Sequence, residues 1–267
     1  LVDREGENLL TVQLDTREDP AIPPFGFVID YLTYGGLYRE VWLEASAPSR
    51  LTDLFVYTPN LKEAAVQWTA ERLDGIATVR IRLEDAAGRP LAEQTADAAP
   101  NGALTLPALE ARPWSPEDPQ LCRCTAELLD AAGHVMDRKQ VSFGFRTAVF
   151  RADGFYLNGK KTFLRGLNRH QSYPYIGYAA PESLQREDAR ILQEELHCNA
   201  VRTSHYPQSP YFLDECDRRG LLVFTELPGW QHIGDDAWKD AACGMLREMI
   251  LQNRSHPSII LWGVRIN

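Results

Sequence analysis

Four short apolar runs in the last third of the chain each run into polar residues that are unusual for a loop. The first leads to Arg165-Gly166-Leu167-Asn168-Arg169-His170 and the second to Arg202-Thr203-Ser204-His205-Tyr206-Pro207. The third ends on Glu226 and the fourth on Asn267. One arginine or histidine in such a place is usually satisfied structurally. Agreement at successive strand ends points instead to a shared ligand site, with His170 and His205 as the residues that touch the ligand. Arg165 and Arg202 also admit a second reading, as ion-paired scaffolding.

Several kinds of chemistry can be weighed against these residues. Ser204 beside His205 suggests a nucleophile and its base, but neighbours in an extended segment face opposite sides and cannot share a proton. No G-x-S-x-G elbow is present, so acyl transfer has no support. His170, His205 and His232 could gather a metal for hydrolytic water, yet none belongs to an H-x-H or H-E-x-x-H pair. Trp230, Tyr173, Tyr175, Tyr178 and Tyr206 occupy the same loops, where aromatic faces suit the apolar faces of sugar rings or pack the loops together.

The elements that must carry these groups alternate strand and helix after Gly154. Strands are expected near Thr162–Leu167, Ala200–Thr203, Leu221–Thr225 and Ile259–Val264, with helices near Pro181–Leu196, Ser209–Arg219 and Ala237–Asn253. Pro181 and Glu182 suit a helix start, and Gly220 suits a helix end. Four such repeats read as the opening half of an eight-fold barrel of about 250 residues, in which reacting groups gather where strands end. An open doubly wound sheet competes, but no glycine-rich phosphate loop follows the first strand.

Earlier in the chain the period is near two. Ala77, Val79, Ile81 and Leu83 face one way while Arg80 and Arg82 face the other. Turn signals at Pro59-Asn60, Asp74-Gly75, Ala87-Gly88, Asn101-Gly102 and Ala132-Gly133 divide 51–145 into strands of an immunoglobulin-like sandwich. Before it, Leu9–Leu14 and Val41–Glu44 read as strands at the end of another β domain.

Composition bounds the partners. A formal charge of −9 over 267 residues excludes a nucleic-acid or anionic-membrane surface, because either needs a basic patch. The expected ligand is neutral or small. No apolar run reaches a membrane span and Leu1–Glu5 shows no targeting signal. The five cysteines lack C-x2-C spacing and read as reduced thiols of a cytoplasmic protein. A homo-oligomer is left open.

The strings themselves resemble glycoside hydrolase family 2. Phe155-Tyr156-Leu157-Asn158-Gly159-Lys160, the two runs ending at His170 and Pro207, Phe212–Asp217 and Asn253–Trp262 occur in that family's order. Tyr34-Gly35-Gly36-Leu37-Tyr38-Arg39 is similar to the end of its sugar-binding jelly roll. Pro113-Trp114-Ser115-Pro116 with Phe143-Gly144-Phe145-Arg146 is similar to its second, immunoglobulin-like domain. The resemblance implies three parts: the end of a jelly roll over 1–47, a sandwich over 48–146 and the first half of a TIM barrel over 147–267.

The family hydrolyses glycosides with retention through two glutamates, one acid/base and one nucleophile. The resemblance implies a β-galactosidase whose acid/base directly follows Asn267, so that no catalytic carboxylate falls within the 267 residues. It implies further that His170, Arg202, His205 and Asn267 line the sugar subsite, with Asn267 at the 2-hydroxyl, and that Asp30 reaches the same pocket; Glu226, from its place at the third strand end, is expected to bind the sugar with them. Some members hold magnesium through a Glu and a His in the third-strand loop. Here His232 matches that His but Trp230 stands where the Glu would be, which argues against that magnesium site and leaves Trp230 to stack on substrate; no cofactor is expected. The alternatives are a β-glucuronidase of the same family, a metal-dependent TIM-barrel hydrolase and a non-catalytic carbohydrate-binding module.

Overall fold

The computed structural model describes residues 5–264. Seven antiparallel strands follow the first segment: β1 (Arg50–Asn60), β2 (Glu63–Glu71), β3 (Thr78–Glu84), β4 (Pro90–Asp97), β5 (Asn101–Pro107), β6 (Cys122–Leu129) and β7 (Val135–Phe143). They form two facing sheets, β1-β2-β5 and β4-β3-β6-β7. Alternation builds the core between them: Val79, Ile81 and Leu83 are fully buried and pack with Val66, Trp68, Leu106 and Leu128. Full burial of each such side chain is worth about 1.5–3 kcal/mol. Ala77 lies before β3 and is exposed rather than in that row. Asn101-Gly102 is not a turn but the start of β5, and the glycine makes room for Trp68, whose ring a Cβ there would meet at 2.0 Å.

A hairpin of β8 (Ala148–Arg151), β9 (Gly154–Leu157) and β10 (Lys160–Lys161) follows, which the strand–helix rhythm did not announce. After it, β11 (Gly166–Asn168), β12 (Ala200–Thr203), β13 (Leu222–Glu226) and β14 (Ile259–Gly263) run parallel in chain order. Between successive strands lie α1 (Glu182–Arg190), α2 (Pro210–Arg219) and α3 (Asp236–Asn253). This is the first half of an eight-fold barrel, with β11 and β14 at its edges. The first strand begins later than expected because Thr162 N still donates to Phe155 O, which keeps the chain in the hairpin. The first helix passes at Ile191 into a π-helical turn ending at Glu195. Gly220 closes α2 in the left-handed region at φ 76°, and a Cβ there would strike the Pro116 backbone.

One face of the parallel sheet packs on its helices, through Val201, Val223 and Ile259 against Ala189, Phe212, Leu213 and Cys216. The other face meets the hairpin and the sandwich through Leu222, Phe155, Leu157 and Trp114. Trp114 is wholly buried and its indole donates to Asp217 O at 2.8 Å. Arg146 donates to the carbonyls of Pro257 and Ile259, at 3.0 and 2.6 Å. The sandwich therefore fixes the N-terminal end of the barrel strands and leaves their C-terminal ends to the loops.

Before Arg50 the described residues form no strand. The expected strands at Leu9–Leu14 and Val41–Glu44 are not formed, since a strand needs a paired neighbour and neither has one here. Leu9, Leu10, Trp42 and Leu43 remain exposed. This segment instead lies across the barrel mouth. Trp238 Nε1 donates to Phe25 O at 3.1 Å, Tyr178 Oη to Leu32 O at 2.7 Å and Arg39 Nη2 to Gln171 Oε1 at 3.4 Å.

All five cysteines are free thiols, and burial pushes both Cys122 and Cys124 up to about 12. Among the described residues no helix is long and apolar enough to cross a membrane.

Candidate functional site

Parallel pairing sets Asn168 beside Arg202 and Arg202 beside Phe224, so these side chains share the inner face of the sheet. Two residues past Phe224 on the same face comes Glu226. Its neighbour on β14 is Gly263, and a Cβ at that glycine would come within 2.6 Å of Glu226 Cγ and 2.8 Å of the Phe224 ring. The glycine is thus what lets the Glu226 stem lie flat over the last strand.

Glu226 is 1% exposed, and a bare carboxylate at that depth would be costly. It is satisfied on both oxygens. Arg202 Nε donates to Oε1, Arg202 Nη2 donates to Oε2 at 3.2 Å, and His205 Nδ1 lies 3.3 Å from Oε2. His205 Nδ1 also lies 3.4 Å from Arg202 Nη2, which can only donate. The carboxylate is the stronger partner, so Nδ1 carries the proton and donates to Glu226. Nε2 is left with its lone pair and without a claim from the scaffold.

His205 is also wedged between rings. Trp230 stands edge-on at 4.8 Å, Tyr31 tilts over it at 5.5 Å, and the His170 ring is 5.3 Å away. His170 Nδ1 approaches Tyr206 Oη at 3.3 Å, and the ring itself is exposed to the mouth. Burial lowers both imidazoles below their ordinary range; Arg202 pushes each further down, Glu226 pulls His205 back up, and Asp30 pulls both up. Both are therefore neutral at pH 7 and able to donate at one nitrogen and accept at the other.

Of the expected site residues, His170, Arg202, His205, Glu226 and Trp230 come together at the C-terminal ends of β11–β13. Asp30 reaches the same place, close enough to influence both imidazoles, although its own side chain is exposed. Glu226 is buried beneath Arg202 and His205, with its carboxylate committed to both. Asn267, with the position after it, lies outside the described residues.

The aromatic set divides. Tyr173 and Tyr175 point to solvent, whereas Tyr178 and Tyr206 pack at 5.1 Å under the first segment. Arg169, beside His170, is a buried staple: it bonds Asp188, Gln185 and Gln208 and lies 4.0 Å over the Phe212 ring. Ser204 and His205 are joined by a cis peptide, and the buried Ser204 Oγ has no partner among the described residues while His205 turns to Glu226. No nucleophile and base pair is formed there.

His232 stands apart from this cluster. Its ring meets Trp238 edge-on at 5.7 Å, and a Cβ on Gly26 would lie 2.2 Å from it. Trp230 supplies no oxygen ligand at the neighbouring position, so these residues do not fit a magnesium site. Asp214, Asp217 and His256 do converge, but at the opposite end of the sheet, where Asp217 accepts from His256 Nδ1 at 2.6 Å and from Ser258 N at 3.0 Å.

Sequence reasoning missed Tyr31. It follows Asp30 in a segment without periodicity, and only its neighbourhood to Asp30 could have drawn attention to it.

Known proteins match this arrangement along nearly its whole length. Residues 49–146 match "Glycosyl hydrolases family 2", and residues 149–265 match "Glycosyl hydrolases family 2, TIM barrel domain". A β-galactosidase of Thermoanaerobacterium thermosulfurigenes is 44% identical over 97% of this chain and 38% of its own length. One from Thermoanaerobacter pseudethanolicus is 42% identical over 98% and 36%. The apo structure of Bacteroides uniformis β-glucuronidase 3 superposes with a TM-score of 0.83 at 31% identity, covering 92% of this chain and 32% of that one. The chain thus spans less than two fifths of the length of these relatives.

Proposed function

Because the chain belongs to glycoside hydrolase family 2, we propose that the protein it is part of hydrolyses β-galactosides with retention and that this part supplies one wall of the sugar pocket. The observation that carries the reading is the convergence of His170, Arg202, His205 and Trp230 at the ends of three neighbouring strands, over a buried Glu226.

Each group has a role that its geometry supports. His205 Nε2 and the exposed His170 ring accept or donate to sugar hydroxyls without a charge to desolvate. Arg202, held by Glu226, presents its guanidinium edge as a further donor. Trp230 offers a face for the apolar side of a pyranose. Asp30 adds an acceptor from outside the barrel, and the family resemblance gives Asn267, which lies outside the described residues, a contact at the 2-hydroxyl. Protonation of the leaving group and formation of the glycosyl-enzyme fall to two carboxyl groups about 5 Å apart. The family resemblance puts the first of these directly after Asn267, and the residues described here bind and orient.

A β-glucuronidase is the second reading, favoured by the solved structures of that activity that this fold resembles. A sugar carboxylate calls for an uncommitted cation, and among the described residues of the cluster the guanidinium of Arg202 is already engaged by Glu226. The β-galactosidase relatives at 44% and 42% identity favour the neutral sugar. The test is kcat/KM of the complete protein on aryl β-galactoside and aryl β-glucuronide side by side. The proposal expects the galactoside to be preferred; preference for the glucuronide overturns the substrate.

A further inference from the structure

The three strand-end loops of the site are held by one side chain that belongs to none of them. Tyr31 comes from the segment before the sandwich, and its ring lies 6.0 Å from His170, 5.5 Å from His205 and 5.5 Å from Tyr206. Its hydroxyl donates to Gly229 O at 3.3 Å, the residue before Trp230. It therefore touches the loop after β11, the loop after β12 and the loop after β13. We propose that Tyr31 is a positioning residue of the sugar site: its ring, together with that of Trp230, clamps the His205 imidazole so that Nδ1 stays on Glu226 and Nε2 faces the ligand.

The physical argument is one of missing constraints. Among the described residues the His205 ring has hydrogen bonds on its Nδ1 side alone, and an imidazole held at one end can swing about its χ2, which is a broad torsion. Two rings packed against the imidazole, at 5.5 and 4.8 Å, restrict that freedom without adding charge. Aromatic contacts of this kind contribute beyond the area they bury. The groups that face the two imidazoles are Glu226 and Arg202 from the barrel, Asp30 from the first segment and Tyr206 from the second-strand loop. Tyr31 joins them as a group that contacts both rings and carries no charge at neutral pH, since burial raises its phenol further above the ordinary range.

This inference rests on the sugar-binding reading of the site, so two measurements separate the failure of one from the failure of the other. The first is kcat/KM of the complete protein on an aryl β-galactoside for Tyr31→Phe and Tyr31→Ala, well below the melting temperature of each. Tyr31→Phe keeps the ring and is expected within about 3-fold of the parent. Tyr31→Ala is expected to fall by up to about 10²-fold, the size typical of a misplaced binding group. Equal damage from both variants assigns the effect to the hydroxyl and overturns the clamp, as does an Ala variant within about 2-fold.

The second measurement is the 15N signature of the His205 ring in the complete protein, read without any sugar. The clamp expects a single Nδ1–H tautomer in the parent and in Tyr31→Phe, and a mixture in Tyr31→Ala. An unchanged tautomer in Tyr31→Ala overturns the clamp even if hydrolysis is observed. A changed tautomer in a protein inactive on galactosides sustains the clamp and overturns the substrate.

Discussion

Removing the Arg202 guanidinium is the perturbation whose size the structure sets most closely. Glu226 is 1% exposed and Arg202 28% exposed, and the pair is joined through both carboxylate oxygens. Arg202→Met preserves the stem of the side chain and leaves the carboxylate with His205 as its remaining partner. Breaking a buried pair costs about 3–5 kcal/mol because an uncompensated charge stays inside. Partial exposure of Arg202 and the ability of His205 to take a proton place the expected value near the lower end, about 3 kcal/mol. At about 2–4 °C per kcal/mol for a domain of 150–250 residues, the melting temperature should fall by about 6–12 °C. The double variant Arg202→Met/Glu226→Leu buries no charge, and most of the loss should return. The cycle should therefore be non-additive by about 2 kcal/mol. Urea unfolding at pH 7, followed by circular dichroism, measures all four proteins. A single-variant cost below about 1 kcal/mol, or an additive cycle, would refute the account of Glu226 as a carboxylate held by its partners.

Two further outcomes follow from the same geometry. Gly263→Ala places a methyl 2.6 Å from Glu226 Cγ and should cost about 1–3 kcal/mol by overpacking while weakening sugar binding; an alanine variant with parent stability and binding would show that Glu226 has room to move. The histidines should divide by pH. His170 and His205 have lowered folded values, so the unfolded chain takes up protons first below about 6.5; their stabilisation is complete above that pH and lost as pH falls through the folded values. For His256, burial lowers the value, but the Asp217 bond together with the charges of Asp217 and Asp214 outweighs it, so its stabilisation is complete below about 6.5 and lost as pH rises through the raised folded value. Urea midpoints from pH 5 to 8 for His205→Asn and His256→Asn should diverge from the parent at opposite ends of that range, and parallel curves would contradict both assignments.

Much of this was legible in the chain because periodicity and strand ends carry it. The row Val79, Ile81, Leu83 announced the sandwich. The runs ending at His170, His205 and Glu226 announced a mouth lined with polar groups. What periodicity cannot show is pairing between distant segments. Leu9–Leu14 alternates like a strand but finds no partner, and the glycine of Asn101-Gly102 answers to the Trp68 ring across the sheet rather than to a turn. Tyr31 acts entirely through contacts with residues more than a hundred positions away, so no local signal marked it. Glu226 ends its strand as the sequence suggests, but its depth beneath Arg202 and His205 emerges only once the barrel face is built.

The most direct test of the central claim is the anomer first released when the complete protein carrying this chain hydrolyses an aryl β-galactoside, followed by proton NMR before mutarotation. A sugar held by His170, Arg202 and His205 for double displacement by two carboxyl groups about 5 Å apart leaves as the β-anomer. Release of the α-anomer first, or no hydrolysis of the galactoside, would contradict it.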